Sequence, residues 1–414
     1  MMTGRIGLFR ETAVRASSML GCLLVSLSLD AIPPEPPTGM RWVIQEQYSD
    51  EFEGNKLDSR KWSNFHPRWK GRAPAMFVKE AVSVKDGLMR IKNGVLKKPD
   101  GPYTLYGGAV TSKTDGAHFG YYECRFKASR VKMSTTFWMS GGGGDVLDTE
   151  VEGDTYRQEL DIQECVGGSL DSESPGFRKQ MHANTHFWYT APGEKSRVSY
   201  PRGAVTDLSS EVWEDFHTYA AWWVDGTYVR FYADNEFYEA VHIYNEVMDV
   251  PMPDPMQINM VTETYNWQPP PTAEELADDS TNTSYYDWIR SYSLVPLMEK
   301  AKGKSYPHAV YEEEIVIEPV PAEYAKGQPL KLDFAYKANG ERKIRIDVFR
   351  WDGKKKKFLQ KEEFSALRGY GKGTKELELD FKPKPNEAYG IRVSLRDGQE
   401  VLDSVIESVK LDPK

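Results

Sequence analysis

The sequence predicts an all-β protein: one large β-sandwich followed by a smaller one. Three observations carry this. Short segments with apolar and polar residues in alternation recur along the 414 residues, separated by turn signals such as Asp86-Gly87, Asp225-Gly226 and Asp234-Asn235. Strongly periodic helical segments are missing. Aromatic residues reach 12%, with 11 Trp and 23 Tyr, types that suit a pleated, half-buried surface and that also stack on flat ligand faces.

Residues 1–32 read as a secretory signal peptide. Arg5, Arg10 and Arg15 precede an apolar run from Met19 to Leu29, which is shorter than the roughly 20 apolar residues needed to span a bilayer. The protein is therefore expected to be secreted, extracellular or periplasmic, with no stable membrane insertion. Residues 33–40 open with Pro33-Pro34-Glu35-Pro36-Pro37 and read as an extended linker. Strand candidates then follow at 81–84, 88–92, 120–128, 135–139, 180–187, 218–224, 228–233, 237–242 and 256–261. In the segment 120–128, GYYECRFKA, Tyr122, Cys124 and Phe126 share one face. The glycines at 141–144 and the acidic stretch to Asp154 read as an irregular loop, and 273–279 as one or two helical turns after a Pro-rich loop. Many short strands over about 250 residues, 41–300, suggest a single large sandwich. From 304 onwards lysine rises and tryptophan thins out. Alternating segments at 313–317, 330–336, 343–350, 376–381, 389–395 and 401–409 read as an Ig-like sandwich over 304–414, with no catalytic constellation in it.

Several function classes are excluded. A formal net charge of −9 argues against a nucleic-acid binder, since phosphate binding needs a basic face. The three cysteines, Cys22, Cys124 and Cys165, are too few for a disulfide framework and lack the spacing of a zinc ribbon. One bridge, Cys124 to Cys165, is conceivable; two buried thiols is the preferred reading.

The stretch that carries chemistry is Glu159-Leu160-Asp161-Ile162-Gln163-Glu164. Read as a strand, it places Glu159 and Asp161 on one face and Leu160 and Ile162 on the other, towards a core. Strict alternation would send Glu164 to the core, and one extra residue in a β-bulge would return it to the face of the other two. Three carboxylates on one strand face repel each other, so at least one pKa must rise. Glycoside hydrolysis uses such an arrangement: one carboxylate attacks the anomeric carbon and a protonated carboxyl donates to the leaving oxygen. A solvated acidic strand is the plainer alternative, but acidic residues are depleted in strands.

The motif E-L-D-I-Q-E resembles the signature of glycoside hydrolase family 16 in its bulged form. Other stretches agree: Tyr48 to Phe52, Leu57 to Trp62, His66-Pro67-Arg68-Trp69-Lys70-Gly71-Arg72, Gly120 to Glu123, Phe137-Trp138-Met139, His182 to His186, and Tyr286 to Arg290. They are similar to the β-agarase and β-porphyranase members and span Arg41 to Pro296. The resemblance implies a β-jelly-roll with retaining, endo-acting hydrolysis of a polysaccharide, agar or porphyran. Carried across, Glu159 resembles the nucleophile, Asp161 its helper and Glu164 the general acid/base. Trp138 resembles the platform under the sugar at the cleavage point, though an aromatic in an apolar strand also fits a core. Trp69 and Arg72 resemble a stacking and polar pair on a rim loop. His182, Glu263 and Asn266 resemble hydroxyl readers. The resemblance implies no metal or other cofactor for the chemistry, although the family admits a structural Ca²⁺. A monomer is expected.

The same resemblance orders the substrates. Some porphyranases place an arginine two residues after the platform tryptophan to hold a sulfate. Ser140 stands there, so cleavage of β-1,4 galactosidic bonds in neutral agar, a β-agarase activity, is the leading expectation. A β-porphyranase comes next, kept open by Arg72 and Lys70. A κ-carrageenase-like enzyme and a non-catalytic carbohydrate-binding protein follow.

Overall fold

The computed structural model describes residues 33–37, 40–147, 151–170, 172–296, 313–318, 320, 329–338, 340–352, 355–366, 369–384 and 387–410. The expected signal peptide and Cys22 lie outside the described residues. The first part of the chain folds as two packed antiparallel sheets. One has seven strands in the order Val198–Asp207, Gln180–Thr190, Thr155–Cys165, Thr135–Asp145, Gln257–Val261, Ala109–Ser112 and Trp62–Ser63. The other runs Glu236–His242, Tyr228–Ala233, His217–Asp225, Gly120–Lys127, Thr283–Pro296, Leu88–Lys92 and Val82–Lys85, with Met40–Ile44 also paired to Thr283–Pro296.

Alternation decides what lies between the sheets. Phe137, Met139, Leu160, Ile162 and Met181 point inward from the first sheet. Tyr122, Phe126, Tyr219, Trp223 and Ile289 meet them from the second. Cys124 and Cys165 belong to the same core as free, buried thiols, so the conceivable bridge is absent. The Cys165 thiol donates to the Thr135 carbonyl at 3.1 Å.

The acidic strand carries the expected bulge. Phe137 pairs with Gln163 and Trp138 with Asp161, which leaves Ile162 as the extra residue. Ile162 stays in the core while Glu164 returns to the outer face, opposite Thr136. The displaced Gln163 is buried. Its amide donates to the Gln180 carbonyl and accepts from the His182 N–H, so the displaced side chain is satisfied.

One local expectation is corrected and two are refined. Residues 141–144 are not a loop: the strand Thr135–Asp145 continues through them, with a register shift between Gly141 and Gly144. Gly143 has φ +103°, and a Cβ there would stand 2.3 Å from the Tyr156 carbonyl oxygen, so only glycine allows this approach. The Pro-rich segment 33–37 is packed rather than free: Pro33 and Pro36 are buried, and the Pro34 carbonyl accepts from the Trp42 indole at 2.6 Å. The helix is only Ala273–Ala277, opened by a Thr272–Glu275 capping box.

The C-terminal part forms two further sheets: Glu314–Ile317, Leu330–Ala338 and Gly369–Leu377, and Lys355–Ala366, Arg342–Asp352, Tyr389–Asp397 and Glu400–Val409. They close on a separate core that includes Ile315, Leu332, Ile344, Ile391 and Val393. Lys337 of this part pairs with Glu35 of the Pro-rich segment.

The bulge depends on Ile162 being held in the core. Ile162→Ala is expected to lower unfolding stability by about 2–4 kcal/mol, checked by urea denaturation of the folded chain.

Candidate active site

On the face of the seven-stranded sheet turned away from the core, a cleft of 420 Å³ opens over the acidic strand. Glu159, Asp161 and Glu164 all line it, together with Trp138, Trp69, Arg72 and Glu263. Trp138 is half-buried and faces the cleft, whereas its neighbours Phe137 and Met139 are in the core. Two expected residues are not among those lining the cleft. His182 stands on the same strand face but stacks on Phe177, with ring centroids 4.0 Å apart. Asn266 is exposed and accepts from Arg72 Nη1 at 3.4 Å.

Each acid has its own surroundings. Asp161 is nearly fully buried, and its Oδ2 lies 3.3 Å from His186 Nε2; the other ring nitrogen of His186 meets Ser199 Oγ at 2.6 Å. Glu164 accepts a 2.6 Å hydrogen bond from the Tyr265 hydroxyl. Glu263 meets Arg72 Nε at 3.1 Å. Glu159 is half-buried, and no hydrogen bond or ion pair is recorded for it among the described residues. Glu159, Asp161 and His186 each offer a ligand atom within 4.8 Å of the others, a grouping that could approach a cation.

Burial and mutual repulsion set the protonation. Burial and then the Asp161 charge push the Glu159 carboxyl up to about 8. Burial, then Glu164 and Glu263, hold Asp161 well above the usual carboxylate range. Burial raises Glu263 to about 8 against the pull of Arg72. The cleft therefore retains protons at neutral pH and shares them among close acids. One group can attack as a carboxylate while a neighbour holds a proton to give, the division of labour that glycoside hydrolysis requires.

The rim is built around Gly71. Its φ is +118°, and a Cβ would stand 2.7 Å from the Ala75 carbonyl, so the loop turns tightly there. Thr264 Oγ1 donates to the Arg72 carbonyl at 2.6 Å and ties the loop down. Trp69 is thereby set edge-on to Trp138, at 6.3 Å, and to Phe77, at 4.9 Å. His66 lies parallel to Trp138 at 6.4 Å; burial and then the Arg68 charge lower its pKa to about 4, which keeps the imidazole neutral.

Several cleft residues were not singled out from sequence: His66, Arg68, Tyr265, Ser140 as a wall residue, Arg157, Trp188 and Arg197. His66, Arg68 and Tyr265 sit inside stretches that the sequence marks. Trp188 arrives only through pairing, opposite Arg157 in the strand Gln180–Thr190, and Arg197 lies over its ring at 4.3 Å.

Comparison with known proteins agrees with this geometry. The family model described as "Beta-porphyranase A-D, GH16 domain" matches residues 42–294, and the model "Porphyranase-associated domain" matches residues 315–406. The chain is 36% identical to β-porphyranase D of Zobellia galactanivorans, over 88% of this chain and 87% of that protein. It is 28% identical to a β-agarase of Phocaeicola plebeius, over 64% of this chain and 89% of that protein. A β-porphyranase crystal structure from the human gut bacterium Bacteroides plebeius is 42% identical, covers 64% of this chain and 96% of its own, and superposes with a TM-score of 0.59.

The raised acids make a stability prediction. A carboxyl with a folded-state pKa near 8 binds a proton that the unfolded chain has already lost near 4.5. Its contribution is present below that lower value and is lost as pH rises through the upper one. Glu159→Gln removes this loss. Its melting temperature is expected to exceed that of the parent by a few degrees at pH 8.5 and by less at pH 5, checked by thermal unfolding across that range.

Proposed function

The chain belongs to glycoside hydrolase family 16, and on that premise we propose that it is a secreted, endo-acting, retaining β-porphyranase. It is a hydrolase for agar-type polysaccharide, with homologues named for both agarose and porphyran. The observation that carries the finer reading is the match to the β-porphyranase family model, together with porphyranases at 36% and 42% identity; a further porphyranase and the agarase both stand at 28%. This reverses the preference drawn from Ser140. A missing arginine at one position does not exclude sulfate recognition when Arg68, Arg72, Arg157 and Arg197 all line the cleft.

In this reading Glu159 is the nucleophile. It has the freedom of an acid without a fixed partner, and it stands opposite Ser140 beside the Trp138 platform. Asp161 exchanges a proton with it through the cycle, held in place by His186. Glu164 protonates the leaving oxygen and then activates water, oriented by the Tyr265 hydroxyl. A cation on Glu159, Asp161 and His186 would quench the attacking carboxylate, so the chemistry is assigned without metal. Trp69 and Trp138 supply stacking faces, and Glu263, fixed by Arg72, reads a hydroxyl. The Arg-bearing apolar leader at 1–32 supports secretion.

The mature chain is expected to release oligosaccharides from porphyran in preference to agarose, κ-carrageenan or mixed-linkage β-glucan, read by product size and end group. Glu159→Gln is expected to lose at least about a thousand-fold in kcat while still binding porphyran. Release from agarose alone would overturn the porphyranase reading. Porphyran binding without hydrolysis by the parent chain would instead support a carbohydrate-binding protein.

A further inference from the structure

The C-terminal part turns one sheet face away from its own core. In the strand Arg342–Asp352, Ile344 and Ile346 enter that core, so Lys343, Arg345, Asp347, Phe349 and Trp351 stand on the opposite face. A bulge in the neighbouring strand Lys355–Ala366 then selects what lies beside them. Val348 pairs with Gln360 and Phe349 with Phe358, which leaves Leu359 as the extra residue. Leu359 packs on the core, and Phe358 comes out beside Phe349. On the other side Phe349 pairs with Gly390, where a Cβ would stand 2.4 Å from the ring. The ring therefore lies across the backbone of the strand Tyr389–Asp397 and is fully buried. The rings that flank it are not. Trp351 is 39% and Phe358 49% exposed, with centroids 5.1 and 5.9 Å from Phe349. Two large aromatics left in water over a third that supports them offer stacking surface that folding does not use.

Charge on this face runs against that of the chain, whose net charge is −9. Among the described residues of the strands Arg342–Asp352, Lys355–Ala366 and Tyr389–Asp397, the outward positions carry Lys343, Arg345, Lys356, Lys361, Arg392 and Arg396, against Asp347 and Glu363. The fourth strand, Glu400–Val409, adds Ser404, Ile406 and Ser408. Both acids are already engaged. Asp347, wholly buried, holds Arg345 and Arg392 at 2.7 Å each, and Glu363 meets Lys361 at 3.6 Å. One carboxylate shared by two guanidiniums leaves a positive charge over. The cations sit beside the rings: the Arg392 guanidinium is 5.3 Å from the Phe358 centroid, and Lys356 Nζ is 4.9 Å from Phe349 and 5.3 Å from Trp351. From Trp351 to Lys343 this basic, aromatic strip runs roughly 27 Å along one strand. None of its residues lines the catalytic cleft.

We propose that this face of the C-terminal sandwich is a second binding site, which holds a sulfated galactan chain. Sugar rings stack on Trp351 and Phe358, and sulfate esters meet Lys356 and Arg392. The inference rests on the porphyranase reading for the identity of the polymer. A polymer held at this face stays with the enzyme while the cleft releases products, because its return to the cleft is then intramolecular.

The test uses the full chain in a Glu159→Gln background, so that the polymer survives. Affinity is read by electrophoresis through gels containing porphyran, or the same polymer after chemical desulfation. Replacing Trp351 and Phe358 together by Ala is expected to weaken retention on porphyran about five-fold or more. Lys356→Glu is expected to weaken porphyran to a similar degree while leaving the desulfated polymer within about two-fold. In the active chain, kcat/KM on a short porphyran oligosaccharide is expected to stay unchanged in all these variants. Melting curves and light scattering accompany each measurement. If the parent cleaves porphyran and the variants are retained as before, the inference fails and the porphyranase reading stands. A lower melting temperature with retention intact makes the rings a cover for Phe349, and a changed mass with retention intact makes the face a contact with a second copy; either overturns the inference. If the parent does not cleave porphyran but the variants still lose retention on it, the porphyranase reading fails and the binding face stands.

Discussion

Everything in the cleft follows from crowding four carboxyl groups into a half-dry space. Glu159, Asp161, Glu164 and Glu263 line one cavity of 420 Å³, and like charges at such range do not all ionise. The fold answers with separate restraints. His186 meets Asp161, Tyr265 donates to Glu164, and Arg72 pairs with Glu263. Among the described residues Glu159 has no hydrogen bond or ion pair recorded, although the His186 and Arg197 charges act on it. In the proposed mechanism that asymmetry separates the group that approaches a carbon from the groups that manage protons. An acid locked in an ion pair would be a poor nucleophile, and one without neighbours would keep no proton nearby.

The crowding is possible because the strand beneath is anchored from the other side. Leu160 and Ile162 are wholly buried, and the bulge at Ile162 keeps core contacts while turning Glu164 outward. A regular strand would gain one ladder pairing and lose the third acid. The cost of the irregularity is offset locally, because Gln163 replaces the interrupted backbone pairing with side-chain hydrogen bonds to the strand Gln180–Thr190. The neighbouring wall uses a comparable device. Positive φ angles at Gly141, Gly142 and Gly143 let the strand Thr135–Asp145 hug Tyr156 without filling the recess.

Local signals made much of this legible. Alternation puts Leu160 and Ile162 in the core, and only a bulge returns Glu164 to the acidic face. Trp69, Arg72, Trp138 and Glu263 reach the cleft as expected. What was not legible depends on pairing between distant segments. Trp188 enters through the register of a strand whose own sequence does not reveal its partner, and Arg197, in the loop after that strand, lies over its ring. His182 shares the right face, yet Phe177 covers its ring. Glycines 141–144 have no strand propensity, and pairing of Gly141 and Gly144 with the strand Thr155–Cys165 overrides it. The strand Val198–Asp207 lies at the sheet edge and is largely exposed, so it lacks the apolar alternation that marks buried strands.

Electrostatics gives the cleft a direction. Acids occupy its middle, and Arg157 and Arg197 stand at the Glu159 end. Beyond Glu164 an aromatic row continues, with Tyr265 stacked on Trp267 at 4.6 Å, and Trp267 against Phe177 at 5.0 Å. A polysaccharide with charge on alternate units meets these features in a fixed order. Charge–charge attraction falls slowly with distance, while stacking needs contact. A charged chain therefore feels the basic end before it touches the aromatic end. Register along a repeating polymer is ambiguous to stacking alone, because every ring offers a face. A platform that any sugar can occupy therefore fixes no register by itself.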